Sequence, residues 1–347
     1  MAGGSTDLFV PEAVERFLDA HGIGEGPVSH RPLGDGHSNL TYLVERTGAR
    51  VVLRRPPRPP LPPSAHDMLR ESAIVARLHA AGARVPAVLA VCDDTSLLGV
   101  PFYVMELAPG VPVDRTLPSA IDTPSDRAHL GEEFVDVLAE IHAIDPEAAG
   151  LASFGRPDGY LERQINRFLK IWPHNRTRDL PAVDELAAWM LAHLPPAVPA
   201  TVVHGDYRVG NLLVAEDAPA RISAVLDWEL STIGDPLADL GYLMSMYADD
   251  TEPAPGYPGL SPVTREPGFP SREELAYLYA ARTGRDVGRI AWYECLAHWK
   301  AAVFLENMWK RYLEGDRDDD FARAMEQGVP AKLAAAVAAA ARDRHPA

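Results

Sequence analysis

The stretch His204-Gly205-Asp206-Tyr207-Arg208-Val209-Gly210-Asn211, followed by Leu212-Leu213-Val214, places an acid and an amide five residues apart between two apolar runs. A tight turn after the buried run 200–203 (ATVV) presents Asp206, and a strand begins at Asn211, so acid and amide face one small volume. Sixteen residues beyond Asn211, Asp227 ends a further apolar segment, ISAVLDW. Three oxygen-bearing side chains thus converge at the ends of neighbouring strands. Hard oxygen ligands with few protein contacts suit Mg²⁺ that carries substrate phosphates. A metal-dependent hydrolase built on His204 and Asp206 is the rival chemistry, but no further His or Cys stands nearby at metal-ligand spacing.

A second set of residues could receive a polyanion. Leu33-Gly34-Asp35-Gly36-His37-Ser38-Asn39 joins the chain to its first clear strand, and its small residues let backbone N–H groups approach a phosphate. Residues 50–58 (RVVLRRPPR) hold four arginines and no acid. Strand alternation puts Val51 and Leu53 on one face and Val52 and Arg54 on the other. Downstream, Ser64-Ala65-His66-Asp67 fits a capping box, opening a helix with Ile74, Val75 and Leu78 on one stripe and a stop at Gly82. Glu71 lies on that apolar side, and a carboxylate on a packed face needs a partner.

The pattern H-x-D-x-x-x-x-N followed by a second Asp is the catalytic-loop and metal-binding signature of protein-kinase-like phosphotransferases. Through HGDYRVGNLLV and VLDWELSTIGDPLADLG the chain resembles the aminoglycoside phosphotransferase and choline-kinase-like family of small-molecule kinases. Through VVLRRPP, SAHDMLRE and PFYVMELAPG it is most similar to the branch that also occurs fused to acyl-CoA dehydrogenases. The resemblance covers nearly the whole chain, least in 110–125 and after 250. It implies ATP and Mg²⁺ as cofactors, Asp206 as the catalytic residue, and Asn211 and Asp227 as metal ligands. It implies further that Gly34, Gly36 and Asn39 lie over the nucleotide phosphates, and that Arg54, with Arg55 as the alternative, stands where related kinases place lysine, paired to Glu71. Arginine keeps the charge and adds a bidentate fork. Glu106 and Leu107, leaving a buried strand toward Pro109-Gly110, are implied as a hinge that reads the adenine. His142, His204, Asp235 and Asp239 match positions that support the loop rather than do chemistry.

The resemblance implies as acceptor a small molecule bearing a hydroxyl. Similarity to the dehydrogenase-associated branch points to a hydroxyacyl-CoA or related hydroxy acid. Arg163, Arg167 and Lys170, with His174, Arg176 and Arg178 beyond, form a basic helix face that could meet a phosphorylated or CoA-bearing acceptor. Asp318, Asp319 and Asp320 could instead attract a polycationic aminoglycoside. A nucleotide-binding pseudokinase scaffold is a third reading, opposed by the retention of Asp206, Asn211 and Asp227.

These residues require a particular set of elements. A short amphipathic helix is expected over 11–21, then strands at 40–46, 50–55, 87–91 and 101–105, whose period-two patterning reads as a small antiparallel sheet. From about 110 the pattern is helical: 128–142, 160–172, 184–194, 236–247, 272–283, 289–313 and an alanine-rich 330–342, interrupted by the strand cluster 200–226. The proline-rich run 251–270 is expected as a long loop that gates the acceptor site. The expected fold is α+β, a bilobal protein-kinase-like architecture with a sheet N-lobe over 1–106 and a mostly helical C-lobe over 107–347.

Composition sets the outer limits. The 347 residues are 47% hydrophobic and 24% charged, an ordinary globular mixture. A formal charge of −16 speaks against nucleic acid and anionic membrane as partners. The basic patch at 50–58 is the local exception a polyanion would require. Two distant cysteines, Cys92 and Cys295, read as reduced thiols of a cytoplasmic protein, and no run approaches the length of a membrane span.

Overall fold

The computed structural model describes residues 8–34, 39–57, 66–248 and 261–344. The chain divides into two compact units, one formed by residues 1–109 with 223–229, the other by 110–222 with 230–347.

The first unit is built on a five-stranded antiparallel sheet. Helix α1 (Pro11–Ala20) carries proline in its first turn and buries Val14, Phe17 and Leu18. Strands β1 (Glu25–Leu33), β2 (Leu40–Thr47), β3 (Ala49–Arg55), helix α2 (Met68–Ala80), strand β4 (Val88–Cys92), the short helix α3 (Thr95–Leu98) and strand β5 (Phe102–Glu106) follow. The strand order is β1-β2-β3-β5-β4. Alternation sends Val51, Leu53, Phe102 and Val104 into an apolar cluster with Phe17 and Leu18 of α1. Full burial of each such side chain contributes about 1.5–3 kcal/mol. Met68, Ile74, Val75 and Leu78 of α2 are also buried, and α2 packs on β4 and β5.

Two sequence expectations are corrected in this unit. Strand β1 was not foreseen: Pro27 and Pro32 and a mostly exposed face disguise an edge strand, the position where proline is tolerated. The α2 cap is Asp67, whose carboxylate accepts the Arg70 N–H at 2.9 Å. Ser64, expected as the cap, lies outside the described residues.

In the second unit, strand β6 (Val111–Pro112) precedes α4 (Pro124–Ala143), α5 (Tyr160–Asn175) and α6 (Ala182–Ala192). Strands β7 (Thr201–Val203), β8 (Leu212–Val214), β9 (Ile222–Val225) and β10 (Thr232–Gly234) come next. Helices α7 (Leu237–Met246), α8 (Arg272–Thr283), α9 (Ile290–Leu313) and α10 (Asp320–Arg344) complete it. The chain leaves this unit within β9 and returns after Glu229. A Thr123/Asp126 capping box starts α4, whose stripe Leu130, Phe134, Val137, Leu138 and Ile141 is wholly buried. Helix α9 packs on α5, α7 and α10, and a Cβ at Gly241 would meet the Tyr293 Cβ at 2.6 Å, so α7 and α9 approach at a glycine.

Helix α10 begins ten residues before the expected 330 and carries Pro330 within it. Ala322, Met325 and Val329 continue its buried stripe upstream of that proline. Asn211 closes a 3₁₀ turn over Val209–Asn211 instead of opening a strand, and β10 was not anticipated. Of 251–270, the part described starts at Ser261 and opens with a 3₁₀ turn over Pro262–Arg265. Residues 251–260, the centre of the expected gate, lie outside the described residues. Among the described residues no helix is long and apolar enough to cross a membrane.

Candidate active site

The segment after β7 is held from below by one buried carboxylate. Asp239, one turn into α7, is fully buried and accepts the His204 N–H at 2.6 Å and the Gly205 N–H at 2.8 Å. His142 Nε2 stands 3.3 Å from Asp239 Oδ2, and His142 Nδ1 stands 2.7 Å from the Tyr279 hydroxyl. With Nε2 protonated the ring donates to Asp239 and accepts from Tyr279, which assigns the tautomer by its neighbours. Burial pushes the Asp239 carboxyl up, yet the bonds from His142 and the loop N–H groups prevail and hold it below its ordinary value. Gly205 has φ +86°, and a Cβ there would meet the Leu230 carbonyl oxygen at 2.8 Å, so the turn requires glycine.

That turn delivers Asp206. Its N–H donates to His204 Nδ1 at 3.1 Å, so His204 sits beneath the loop, completely buried. Asn211 Nδ2 donates to the Asp206 backbone carbonyl at 2.9 Å and to its Oδ2 at 2.7 Å. Both bonds use the amide nitrogen, which leaves Asn211 Oδ1 and Asp206 Oδ1 without a hydrogen-bond partner among the described residues. Arg208 Nε is 3.7 Å from Asp206 Oδ2. The structure thus brings Asp206 and Asn211 into direct contact with one acceptor oxygen free on each.

In the first unit the sheet register sets Arg54 beside Thr41 on β2 and Tyr103 on β5. Arg54 Nε lies 2.8 Å from Glu71 Oε1, and its Nη2 pairs with Asp227 Oδ1. Tyr103 donates its hydroxyl to Glu71 Oε1 at 3.1 Å. Burial pushes the Glu71 carboxyl up to about 7 despite Arg54, and Glu71 Oε2 is a buried atom without a hydrogen-bond partner among the described residues. Burial alone would lower the Arg54 value, but Glu71 and Asp227 outweigh it and raise it. Arg55, the alternative partner, points the other way: it is buried, with Nε donating to the Pro56 carbonyl at 3.1 Å and Nη1 to the Leu8 carbonyl. Alternation along β3 separates the two arginines.

The remaining expected residues are distributed differently. Gly34 adopts φ +72° with open space where a Cβ would stand, while Gly36 lies outside the described residues. Asn39 is buried, with Nδ2 donating to Glu229 Oε2 at 2.8 Å and Oδ1 2.8 Å from His66 Nδ1. Its amide is therefore occupied within a polar cluster. Glu106 ends β5 with an exposed side chain, and its N–H donates to the Ala87 carbonyl at 2.8 Å; Leu107 follows, half-buried. Tyr103, His66 and Glu229 were missed from sequence. For Tyr103 a signal existed, because pairing of β3 with β5 puts it across from Arg54.

The two residues expected as metal ligands carry donors of the right chemistry for a divalent cation. In the second unit Asn211 presents an unengaged carbonyl oxygen, and in the first unit Asp227 has Oδ2 to spare once Oδ1 has met Arg54. Each by itself is a hard donor of the kind magnesium prefers.

Three comparisons place the chain among known proteins. The family profile described as "Phosphotransferase enzyme family" matches residues 29–275. Mouse acyl-CoA dehydrogenase family member 10 is 36% identical over 88% of this chain, which spans 28% of that protein's length. A crystal structure from Ralstonia eutropha, assigned as an aminoglycoside phosphotransferase, superposes with a TM-score of 0.80 at 31% identity, covering 95% of this chain and 98% of that one. An aminoglycoside phosphotransferase crystallised with AMP-PNP and hygromycin B gives a TM-score of 0.60 at 18% identity, covering 96% and 100%, and shares the fold. The antiparallel sheet of the first unit and the helical second unit are those of this protein-kinase-like fold. By the match across 29–275, the identity to these relatives and the fold, this chain belongs to the phosphotransferase enzyme family, whose members move phosphoryl groups to hydroxyls of small molecules.

Proposed function

We propose that the chain transfers the γ-phosphoryl group of ATP to a hydroxyl of a small acceptor, a hydroxyacyl-CoA or related hydroxy acid. The observation that carries the reading is the Asp206 carboxylate, fixed by Asn211 on Oδ2 and open on Oδ1, on a turn locked by Asp239.

In this mechanism Asp206 Oδ1 accepts the proton of the acceptor hydroxyl. The alkoxide oxygen forms a bond to the γ-phosphorus, the bond from that phosphorus to the β,γ-bridging oxygen breaks, and ADP leaves with the electron pair. No covalent enzyme intermediate is needed, because this chemistry asks mainly for positioning and charge neutralisation. Mg²⁺, held by Asn211 and Asp227, would supply neutralisation of the phosphate charge. Arg54 adds a fixed guanidinium, oriented by Glu71 on Nε and so aimed by a residue that itself touches no substrate. Tyr103 orients Glu71 in turn.

The acceptor assignment is supported by the similarity to acyl-CoA dehydrogenase family members and by the scarcity of acids on α5. An aminoglycoside acceptor remains the competing one, since the solved relatives include an enzyme complexed with hygromycin B. A panel of hydroxy acids, their CoA thioesters, choline and aminoglycosides, assayed for acceptor-dependent ADP release with and without Mg²⁺, tests the proposal. Transfer to the acyl compounds supports it, and transfer only to aminoglycosides overturns the acceptor class.

A further inference from the structure

The segment Ser64-Ala65-His66-Asp67 supplies the cap of α2 through Asp67, which leaves His66 without an explanation. Its backbone sets it apart. Among the described residues, those other than glycine with positive φ are His66 at +59° and Asp227 at +67°. In that region a Cβ crowds the following carbonyl oxygen, so the conformation persists only where the surrounding structure imposes it. Both residues belong to the first unit, and one hydrogen-bonded chain reaches both of their segments.

That chain is centred on Asn39, which is 5% exposed and stands immediately before β2. Its Nδ2 donates to Glu229 Oε2 at 2.8 Å, and its Oδ1 is 2.8 Å from His66 Nδ1. An ionised carboxylate only accepts, so Glu229 fixes which end of the amide faces it. The amide oxygen then faces His66, and Nδ1 is the protonated ring nitrogen. Glu229 Oε2 also stands 4.0 Å from that nitrogen, so the three side chains close on one another. One buried amide therefore joins the start of β2, the turn into α2 and the end of the segment 223–229. The second of these leads to Glu71, and the third carries Asp227.

The segment 223–229 is tied at two places. At Val225 the N–H donates to the Arg84 carbonyl at 2.7 Å, and the buried Trp228 returns its ring N–H to the Val225 carbonyl at 3.0 Å. At the other end is Glu229, the last residue before the chain passes to the second unit. Between them Asp227 meets the sheet through Arg54, a guanidinium that nucleotide phosphates would also claim. The bond from Asn39 to Glu229 does not depend on Arg54. We propose that Asn39, aligned by His66, is a positioning residue of the metal site: by holding Glu229 it keeps Asp227 in its left-handed conformation, with a carboxylate oxygen available to a divalent cation. This rests on the assignment of Asp227 as a metal ligand made above. It differs from the place over the nucleotide phosphates that the resemblance implies for Asn39. Removing a group that orients a metal ligand typically costs about 10–100-fold in metal affinity.

The test separates the metal-dependent part of nucleotide binding from the rest. Wild type, Asn39→Asp, Asn39→Ser, Glu229→Gln and the double variant Asn39→Asp/Glu229→Gln are titrated with AMP-PNP by calorimetry, once in Mg²⁺ and once in EDTA, after circular dichroism has shown each to be folded. Asn39→Asp sets two carboxylates against each other, and Asn39→Ser, which loses both bonds without adding charge, decides the matter should the first not fold. Both should bind AMP-PNP at least about tenfold more weakly than wild type in Mg²⁺ and within about threefold of it in EDTA. Glu229→Gln keeps an oxygen that accepts from Asn39 and should stay within about threefold of wild type in both buffers. In the double variant the glutamine amide donates to the new carboxylate, and affinity in Mg²⁺ should return to within about threefold of wild type. Equal losses in Mg²⁺ and EDTA would make Asn39 a phosphate contact or a purely structural residue and overturn the proposal. So would unchanged affinity in both Asn39 variants, or a loss in Asn39→Asp that Glu229→Gln does not repair. In each of these cases wild type still binds the nucleotide and the kinase reading stands. A wild type that binds no AMP-PNP in either buffer overturns the kinase reading, and the role given to Asn39 with it.

Discussion

Replacing Asp239 with asparagine keeps the shape of the side chain and removes the acceptor that holds the turn before Asp206. The carboxylate accepts three bonds: His204 N–H and His142 on Oδ2, and Gly205 N–H on Oδ1. An amide has a single acceptor oxygen, so one of the two backbone N–H groups, 2.6 and 2.8 Å away, must face an NH₂ group. Hydrogen bonds to a charged acceptor are worth about 1.5–3 kcal/mol net, and a buried donor left unpaired costs about 1–3 kcal/mol. With one backbone bond kept in weakened form, Asp239→Asn should lose about 2–4 kcal/mol of unfolding free energy. The same change frees Asp206, whose N–H bonds to His204, and a displacement near 1 Å at a reacting group lowers kcat by about 10²-fold. Guanidinium unfolding followed by tryptophan fluorescence reads the first effect, and acceptor-dependent ADP release the second. Because Asp239 touches no nucleotide group in this account, KM for ATP should change less than about threefold. A variant within 0.5 kcal/mol of wild type and within twofold in kcat would refute the assignment of Asp239 as the anchor of the turn.

Further expectations concern other positions. Arg54→Met strips the buried Glu71 of its cation and should destabilise by about 3–5 kcal/mol, whereas Arg54→Lys, which keeps the charge but loses the planar fork that meets Glu71 on Nε and Asp227 on Nη2, should retain intermediate stability and raise KM for ATP. The Glu71 carboxyl, raised from 4.5 to about 7 in the folded chain, contributes a stability that is fully present below pH 4.5 and lost as pH rises through 7. Unfolding measured at pH 5 and pH 8 should therefore show Glu71→Gln gaining on wild type by about 3 kcal/mol, and a pH-independent difference would contradict it. Gly205→Ala combines a left-handed backbone with a Cβ 2.8 Å from the Leu230 carbonyl oxygen, so both activity and thermal midpoint should fall; unchanged values would show that the turn can relax.

Much of this arrangement can be read in the sequence, for a physical reason. Asp206, Asn211 and their loop are local, and five-residue spacing between apolar strands leaves little freedom in where the side chains go. Strand alternation likewise distinguishes Arg54 from Arg55, one facing Glu71 and the other Leu8 and Pro56. What could not be read is what depends on partners distant in the chain. Asn39 belongs to a cluster with His66 and Glu229, the latter 190 residues away, so its own glycine-rich neighbourhood gave no hint of that role. Tyr103 acquires its place beside Glu71 from the pairing of β3 with β5. Edge strand β1 and the proline-bearing α10 escaped because their composition argues against the structure that tertiary packing imposes on them.

The central claim is that Asp206 takes the proton of an acceptor hydroxyl during phosphoryl transfer from ATP. The most direct measurement is transfer of ³²P from [γ-³²P]ATP to a hydroxyacyl acceptor by wild type and by Asp206→Ala, with retained ATP-analogue binding checked for both. The account predicts labelled acceptor from wild type and a fall of at least about 10²-fold in the variant, at nearly unchanged nucleotide affinity. Equal labelling by the two proteins would contradict it.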